Sequence, residues 1–140
     1  MKAMEISLTG LNVEWRRLEV IAENLANAGT TRTANGEPYR AMRLVSGPRG
    51  GFASYLEADG AQAPVGVAVY GVEPVNLPPR RVYEPAHPQA DADGYVSYPG
   101  FDHAAEMTLM VKTSRAYEAN IVAMNLARQM YVKAMELGRR

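Results

Sequence analysis

Residues 104–137, AAEMTLMVKTSRAYEANIVAMNLARQMYVKAMEL, contain neither proline nor glycine. An uninterrupted run of this length predicts one helix of about 50 Å. Its side chains fall into two stripes rather than one. The first runs through Met107, Met110, Ser114, Tyr117, Ile121, Met124, Arg128, Tyr131 and Met135. The second, rich in small residues, runs through Ala116, Asn120, Ala123, Ala127, Met130, Ala134 and Leu137. Two stripes on one helix need two surfaces to cover them. The small residues let another backbone come close, and the methionines adapt to neighbours of differing shape. A bare stripe of this length would leave a monomer adhesive, so oligomerisation is expected.

The other end of the chain supplies one cover. From Ala3 to about Ala28, Met4, Leu8, Leu11, Trp15, Leu18, Ala22 and Leu25 step by alternating fours and threes and define a heptad seam. Glu14, Arg16, Arg17, Glu19 and Glu23 take the other faces. Ile6, Val13 and Ile21 fall beside the seam and widen the apolar surface beyond what a two-stranded pairing requires.

Between the two helices the character of the chain changes. All nine prolines lie between Pro38 and Pro99. Residues 28–103 read as turns joined by short strands. Asn35-Gly36 is a hairpin-type turn, since both residues tolerate positive φ. Tyr39 to Val45 reads as the strand that follows it. Gly47-Pro48-Arg49-Gly50-Gly51 and Ala58 to Pro64 read as loops, and the 47–64 composition argues for mobility in an isolated subunit. Val65, Val67 and Val69 alternate with small residues and predict a half-buried strand. Val82-Tyr83 and Tyr95-Val96-Ser97-Tyr98 read as further short strands bounded by prolines.

Composition excludes several classes of function. Lys and Arg number 15, as do Asp and Glu, so no net field recruits nucleic acid or an acidic membrane. Arg80-Arg81 and Arg139-Arg140 are basic runs of ordinary surface length. With no cysteine, disulfides, thiolate zinc sites and a cysteine nucleophile are ruled out. No apolar run approaches the roughly 20 residues that span a bilayer. Residues 1–7 lack the pattern of a cleavable secretory signal, so any export is expected to use another route.

Candidate chemistry is sparse. Asp91-Ala92-Asp93-Gly94 has the beginning of a calcium loop but lacks a further oxygen ligand before the glycine and a bidentate Glu, and reads as an Asx-type turn leading into the Tyr95 strand. His87 and His103, the only histidines, form no zinc-binding pair. His103 is expected in the first turn of the C-terminal helix with Asp102 as its N-cap. Ser7, Ser46, Ser54, Ser97 and Ser114 sit in no nucleophile elbow. The glycines around Gly50 match no nucleotide-binding fingerprint. No enzyme, cofactor or metal site is expected.

Three stretches resemble the axial proteins of the bacterial flagellum. Residues 21–40, IAENLANAGTTRTANGEPYR, contain the Asn-Leu-Ala-Asn signature of that family at Asn24 to Asn27 and an extension typical of its proximal-rod branch. Tyr83-Glu84-Pro85-Ala86-His87-Pro88, followed by Asp93-Gly94-Tyr95-Val96 and Pro99, is the second. Glu106-Met107 with Ser114-Arg115-Ala116-Tyr117-Glu118-Ala119-Asn120 and the Ala/Met-rich helix beyond is the third. The chain departs from the pattern at Glu23, where Asn is common, and at Pro99-Gly100-Phe101.

The resemblance implies a structural subunit of the flagellar basal-body proximal rod, the axial drive shaft within the periplasm. It implies an α+β fold in which long N- and C-terminal helices, residues 1–28 and 104–140, pair as an antiparallel coiled coil forming an inner domain. Residues 29–103 would form a small β-rich, loop-rich outer domain. The implied partners are other rod subunits, copies of the same chain in a helical assembly and the flagellar type III export apparatus, with no nucleic acid and no membrane insertion. Heterologous contacts between unlike faces build such open helical arrays.

The residues expected to pack subunits follow from the seam and stripes: Leu8, Leu11, Trp15, Leu18 and Leu25; Tyr117, Ile121, Met124 and Tyr131; Asn120, Met130 and Leu137. Asn24 and Asn27, at a helix end, can bond backbone groups of their own chain or a neighbour's. Arg115 and Glu118, three apart, can pair on the helix face or reach an adjacent subunit. The isolated subunit is expected to be soluble but poorly ordered at both ends. Another rod or hook subunit, a helical export chaperone or adaptor, and more weakly a cell-wall hydrolase are the alternatives.

Overall fold

A computed structural model describes residues 2–50 and 66–138. The Ala58 to Pro64 loop, Val65, Ser54, Gly51 and the Arg139-Arg140 pair lie outside the described residues. The elements run α1 (Lys2–Ala26), β1 (Met42–Pro48), β2 (Val67–Pro74), β3 (Arg80–Tyr83), β4 (Tyr95–Tyr98) and α2 (His103–Leu137). The fold is α+β, with two long helices and two antiparallel strand pairs, β1–β2 and β3–β4.

Helix α2 begins where the sequence places it. The Asp102 carboxylate accepts the Ala104 N–H at 2.9 Å, capping one of the free donors of the first turn. His103 is the first helical residue. None of the described helices is long and apolar enough to cross a membrane.

The helices pack on each other in opposite directions. Asn24 meets Glu106, Trp15 lies beside Tyr117, and Gly10 sits under Asn120. The contact face of α1 differs from the expected seam. Ser7, Leu11, Ile21 and Asn24 are buried, while Leu8 and Trp15 are 51% and 55% exposed. Val13 and Val20, one of them read as lying beside the seam, are buried and cluster with Leu44 of β1, flanked by Met42 and Val72. Burial of each such side chain contributes about 1.5–3 kcal/mol. The helix serves two partners, α2 and the β1–β2 hairpin, and its rotation divides its apolar surface between them.

The contact face of α2 runs between the two expected stripes. Glu106 and Thr113 are buried, and Met110, Tyr117, Asn120, Met124 and Ala127 are half-buried. These positions alternate by fours and threes and take members from both stripes.

The strands depart from expectation at two points. β1 starts at Met42 rather than Tyr39 and continues through Gly47 and Pro48. Tyr39 is drawn out of line by its own hydrogen bonds, its N–H to the Thr30 carbonyl and its hydroxyl to Asn24. Gly47 belongs to the strand because its lack of a side chain admits the Tyr70 ring, whose hydroxyl donates to the Pro48 carbonyl at 2.6 Å. In β2 the register shifts so that Val45 pairs with Gly71 and Ser46 with Val69, leaving Tyr70 as an extra residue. That bulge breaks the two-residue period. Val67 and Val69 are 36% and 40% exposed, whereas Val72 packs against the Val13–Val20–Leu44 cluster.

The β3–β4 pair matches the sequence reading. Asp91 Oδ1 accepts the N–H groups of Asp93 and Tyr95 at 3.0 and 2.8 Å, an Asx-type turn, and Gly94 adopts φ +82°. Tyr83 and Tyr95 meet edge to face at 5.3 Å, and the Arg81 guanidinium lies 4.8 Å above the Tyr95 ring. Asn35-Gly36 does turn the chain, with Gly36 at φ +80° and its N–H on the Thr33 carbonyl, but no strand flanks it.

Candidate assembly surface

Three segments distant in sequence converge on Asn24, which is 1% exposed. It sits near the end of α1, where the chain turns outward, so its side chain projects toward the returning strand. Its Oδ1 accepts the Met42 N–H at 2.8 Å and the Tyr39 hydroxyl at 3.0 Å. Its Nδ2 donates to the Met42 carbonyl at 2.9 Å and to Glu106 Oε2 at 3.2 Å. The amide thus pairs with Met42 as a neighbouring strand would and has one N–H left for α2. Every hydrogen-bonding position of the side chain is used within the chain.

Glu106 completes the cluster. It is 6% exposed, and its second oxygen lies 4.0 Å from the Arg43 guanidinium. Burial first, then the nearby carboxylates of Glu23 and Glu106, pushes the Tyr39 phenol above its ordinary range. Tyr39 therefore stays protonated and serves as donor. Asn27 does local work: its Nδ2 bonds the Glu23 carbonyl at 2.9 Å and its Oδ1 accepts from Thr30.

A second, apolar surface is left uncovered by the described residues. Gly10 beneath Asn120 puts the level of Lys2 near residue 128, so residues 129–137 extend beyond α1. Met130, Tyr131, Val132, Met135 and Leu137 there are between 46% and 75% exposed. Further back on α2, Met107, Val111, Val122 and Leu126 are more than half exposed. An array of large apolar side chains over the length of one helix marks an interaction surface.

The sixteen expected packing residues divide between these two settings. Leu11, Leu18, Asn24, Leu25, Asn27, Tyr117, Asn120, Ile121 and Met124 are buried or half-buried within the chain. Leu8, Arg115, Glu118, Met130, Tyr131 and Leu137 face outward, and Trp15 is more than half exposed although its ring lies beside Tyr117. Arg115 and Glu118 make no ion pair with each other. Sequence reasoning missed Tyr39, Glu106, Thr113, Val111, Val122 and Leu126. The spacing of seven between Val13 and Val20 was the available signal for a second buried line on α1; no periodicity reveals a buried carboxylate such as Glu106.

Among the described residues no group of acidic or histidine side chains could hold a metal ion. The Nδ1 of His87 accepts its neighbour Gln89's N–H. An apolar groove of about 450 Å³ lies between α1, β1 and α2 and is lined by Val20, Ile21, Leu44 and Leu109. It holds no nucleophile paired with a base.

The chain is similar to known proteins over nearly its whole length. The family model described as flagellar basal body rod FlgEFG protein C-terminal matches residues 92–137. The chain is 37% identical to the flagellar basal-body rod protein FlgC of Salmonella typhimurium over 138 residues, covering 99% of this chain and 97% of that protein. It is 35% identical to the FlgC of Borreliella burgdorferi over 147 residues, covering 96% and 95%. With the FlgC of Bacillus subtilis it shares 36% over 145 residues, covering 98% and 97%.

Proposed function

This chain belongs to the FlgC family of flagellar basal-body rod proteins, and we propose that its work is mechanical, as a structural subunit of the rod. No catalysis enters that role. The observation that carries the proposal is the uncovered end of α2, where Met130, Tyr131, Val132, Met135 and Leu137 have no partner among the described residues. A second subunit laid along that end would remove this apolar surface from water, at roughly 25 cal/mol per Å².

In this reading α1 and α2 form an antiparallel coiled coil, the inner domain of residues 1–28 and 104–140, and residues 29–103 form an outer domain that meets neighbouring subunits. The assembly is the proximal rod in the periplasm, reached through the flagellar type III export apparatus. Partners are copies of this chain and other rod subunits. The near-full-length match to proteins named for the basal-body rod favours this over a chaperone or adaptor. An outward face and an overhanging end that differ from the contact face of the same helix suit a heterologous, open array.

Complementation tests the proposal. A strain lacking its own copy regains rods and hooks with this chain, and purified basal bodies contain it. Met130→Glu with Leu137→Glu leaves the folded subunit soluble but fails to restore rods. Full restoration by that variant, or absence of the chain from basal bodies, would sink the reading.

A further inference from the structure

The apolar contacts alone leave the register of the helix pair open. α1 has 25 residues and α2 has 35, so α2 carries more than one heptad that α1 does not reach. Its half-buried line repeats every seven residues through Met110, Tyr117 and Met124, and Tyr131 extends that line past α1. A slide of one heptad, about 10 Å, would put Met124 where Tyr117 meets Trp15 and Ala127 where Asn120 meets Gly10. Each apolar residue of α1 would still find a partner. The strands give α2 little hold: among the described residues β3 and β4 pack on neither helix, and β1 approaches α2 through Arg43 at the same Glu106.

One contact does not repeat. Glu106 Oε2 accepts from Asn24 Nδ2 across 82 positions of sequence, inside the contact face. Asn24 cannot follow a sliding partner, since its other three bonds tie it to Met42 and Tyr39. After the slide described, Asn24 meets Thr113 instead of a carboxylate. A slide the other way carries Glu106 toward Arg17 and leaves Asn24 beyond the first turn of α2. In the first case a charge-assisted bond is lost while the apolar contacts survive, and in the second Ile21 and Leu25 lose their partners as well. A buried polar contact between two helices that otherwise meet mainly through apolar side chains is the best-attested device for fixing register.

We propose that Asn24 and Glu106 form the register lock of the helix pair, with Glu106 as the positioning residue. The lock selects, among heptad-related pairings, the one in which residues 129–137 project beyond α1. The claim concerns the chain on its own and stands or falls independently of the rod.

The chain has no cysteine, so spin labels can be placed at Ala22→Cys and Val122→Cys, two exposed positions on α1 and α2. Their separation, measured by pulsed dipolar spectroscopy on the full chain, reports the axial offset of the helices. With Glu106 in place a single narrow distance is expected. Glu106→Leu keeps the position filled and leaves Asn24 its Met42 and Tyr39 bonds. It is expected to keep its helical circular dichroism and to show a second distance displaced by about 10 Å in at least about a tenth of molecules. Glu106→Gln, which retains an acceptor, restores the single distance. An unchanged single distance in Glu106→Leu overturns the proposal, as does a broad distribution in the labelled chain with Glu106 intact. Loss of helix in Glu106→Leu also overturns it, because the contact would then supply stability rather than choose a register.

Discussion

Gly10 of α1 lies beneath Asn120 of α2 so closely that a Cβ on the glycine would sit 2.8 Å from Asn120 Oδ1. Alanine at this position should add about 0.8–1.0 kcal/mol of helix propensity. It must also push aside a side chain whose Nδ2 bonds the Ala116 carbonyl at 3.0 Å. Gly10→Ala is therefore expected to bring no gain, or a loss of up to about 2 kcal/mol, in the native background. In an Asn120→Ala background it should stabilise by about 1 kcal/mol. Urea midpoints of the four chains give the coupling, and equal effects in both backgrounds would refute the close approach.

Asn24→Ala strips partners from the Met42 backbone, Tyr39 and Glu106 at once. A loss of about 3 kcal/mol or more is expected from the donors and acceptors left buried. Asn24→Asp keeps the shape but sets a second carboxylate against Glu106. That variant should be weak at neutral pH and recover as acid protonates one of the pair. Denaturation at neutral and mildly acidic pH distinguishes the two, and a pH-independent deficit in Asn24→Asp would count against the contact.

The Tyr39 phenol, raised by burial and then by Glu23 and Glu106, links stability to alkaline pH. Its neutral form is favoured in the folded chain. The stabilisation is complete below the unfolded value of about 10 and disappears as pH rises through the folded value. Tyr98, raised chiefly by its hydrogen bond to Glu84, acts with the same sign. Tyr39→Phe should lower stability at neutral pH by about 1 kcal/mol and shrink the alkaline loss. Unfolding followed between neutral and strongly alkaline pH checks this, with Tyr98→Phe as the comparison. An alkaline limb unchanged by Tyr39→Phe contradicts it.

In the β3–β4 turn, Gly94 holds φ +82°, and a Cβ there would stand 2.9 Å from the Tyr83 ring. Gly94→Ala should cost about 1–2 kcal/mol and loosen the Tyr83–Tyr95 contact. Asp91→Asn should weaken the same turn near neutral pH. The Asp91 carboxyl is held below its ordinary range by the Tyr95 N–H first, with further help from Asp93 and Arg81. Its contribution is present above the unfolded value and fades as pH falls through the folded one. Tyrosine ring shifts in NMR spectra read both effects, and a ring environment unmoved by Gly94→Ala would refute the first.

Hydrogen exchange should divide α2. Amides opposite α1, from about Glu106 to Ala127, are expected to be protected, whereas those of residues 129–137 should exchange fastest in the free subunit and slow on assembly. This narrows the expectation of disorder at both ends to one end of one helix. Uniform protection along α2 in the free chain would argue against an unpartnered end.

Features set by neighbours in sequence were the readable ones. The Asp102 cap, the Asp91 turn and the β3–β4 strands each depend on a few adjacent residues. The α1 face was misread because heptad counting assumes one partner, while Val13 and Val20 answer to Leu44. The register shift at Tyr70 is one extra residue in the strand, which no alternation rule anticipates. The Asn24 motif was visible as a helix-end signature, but its use depends on Met42 and on Glu106 far along the chain. Neither spacing nor the matched motifs separate residues that close the chain on itself from residues that face outward, so the expected packing set holds both.

The unequal lengths of α1 and α2 bear on how a shaft made of such units would carry load. Where two columns of equal helices stack end on end, all the joints fall in one transverse plane, and that plane is weak. Here the ends are offset by about 13 Å, like bricks laid in running bond. A cut across such a column would pass through a continuous helix wherever it met a joint, and twist would be handed from unit to unit through backbone hydrogen bonds as well as through apolar contact.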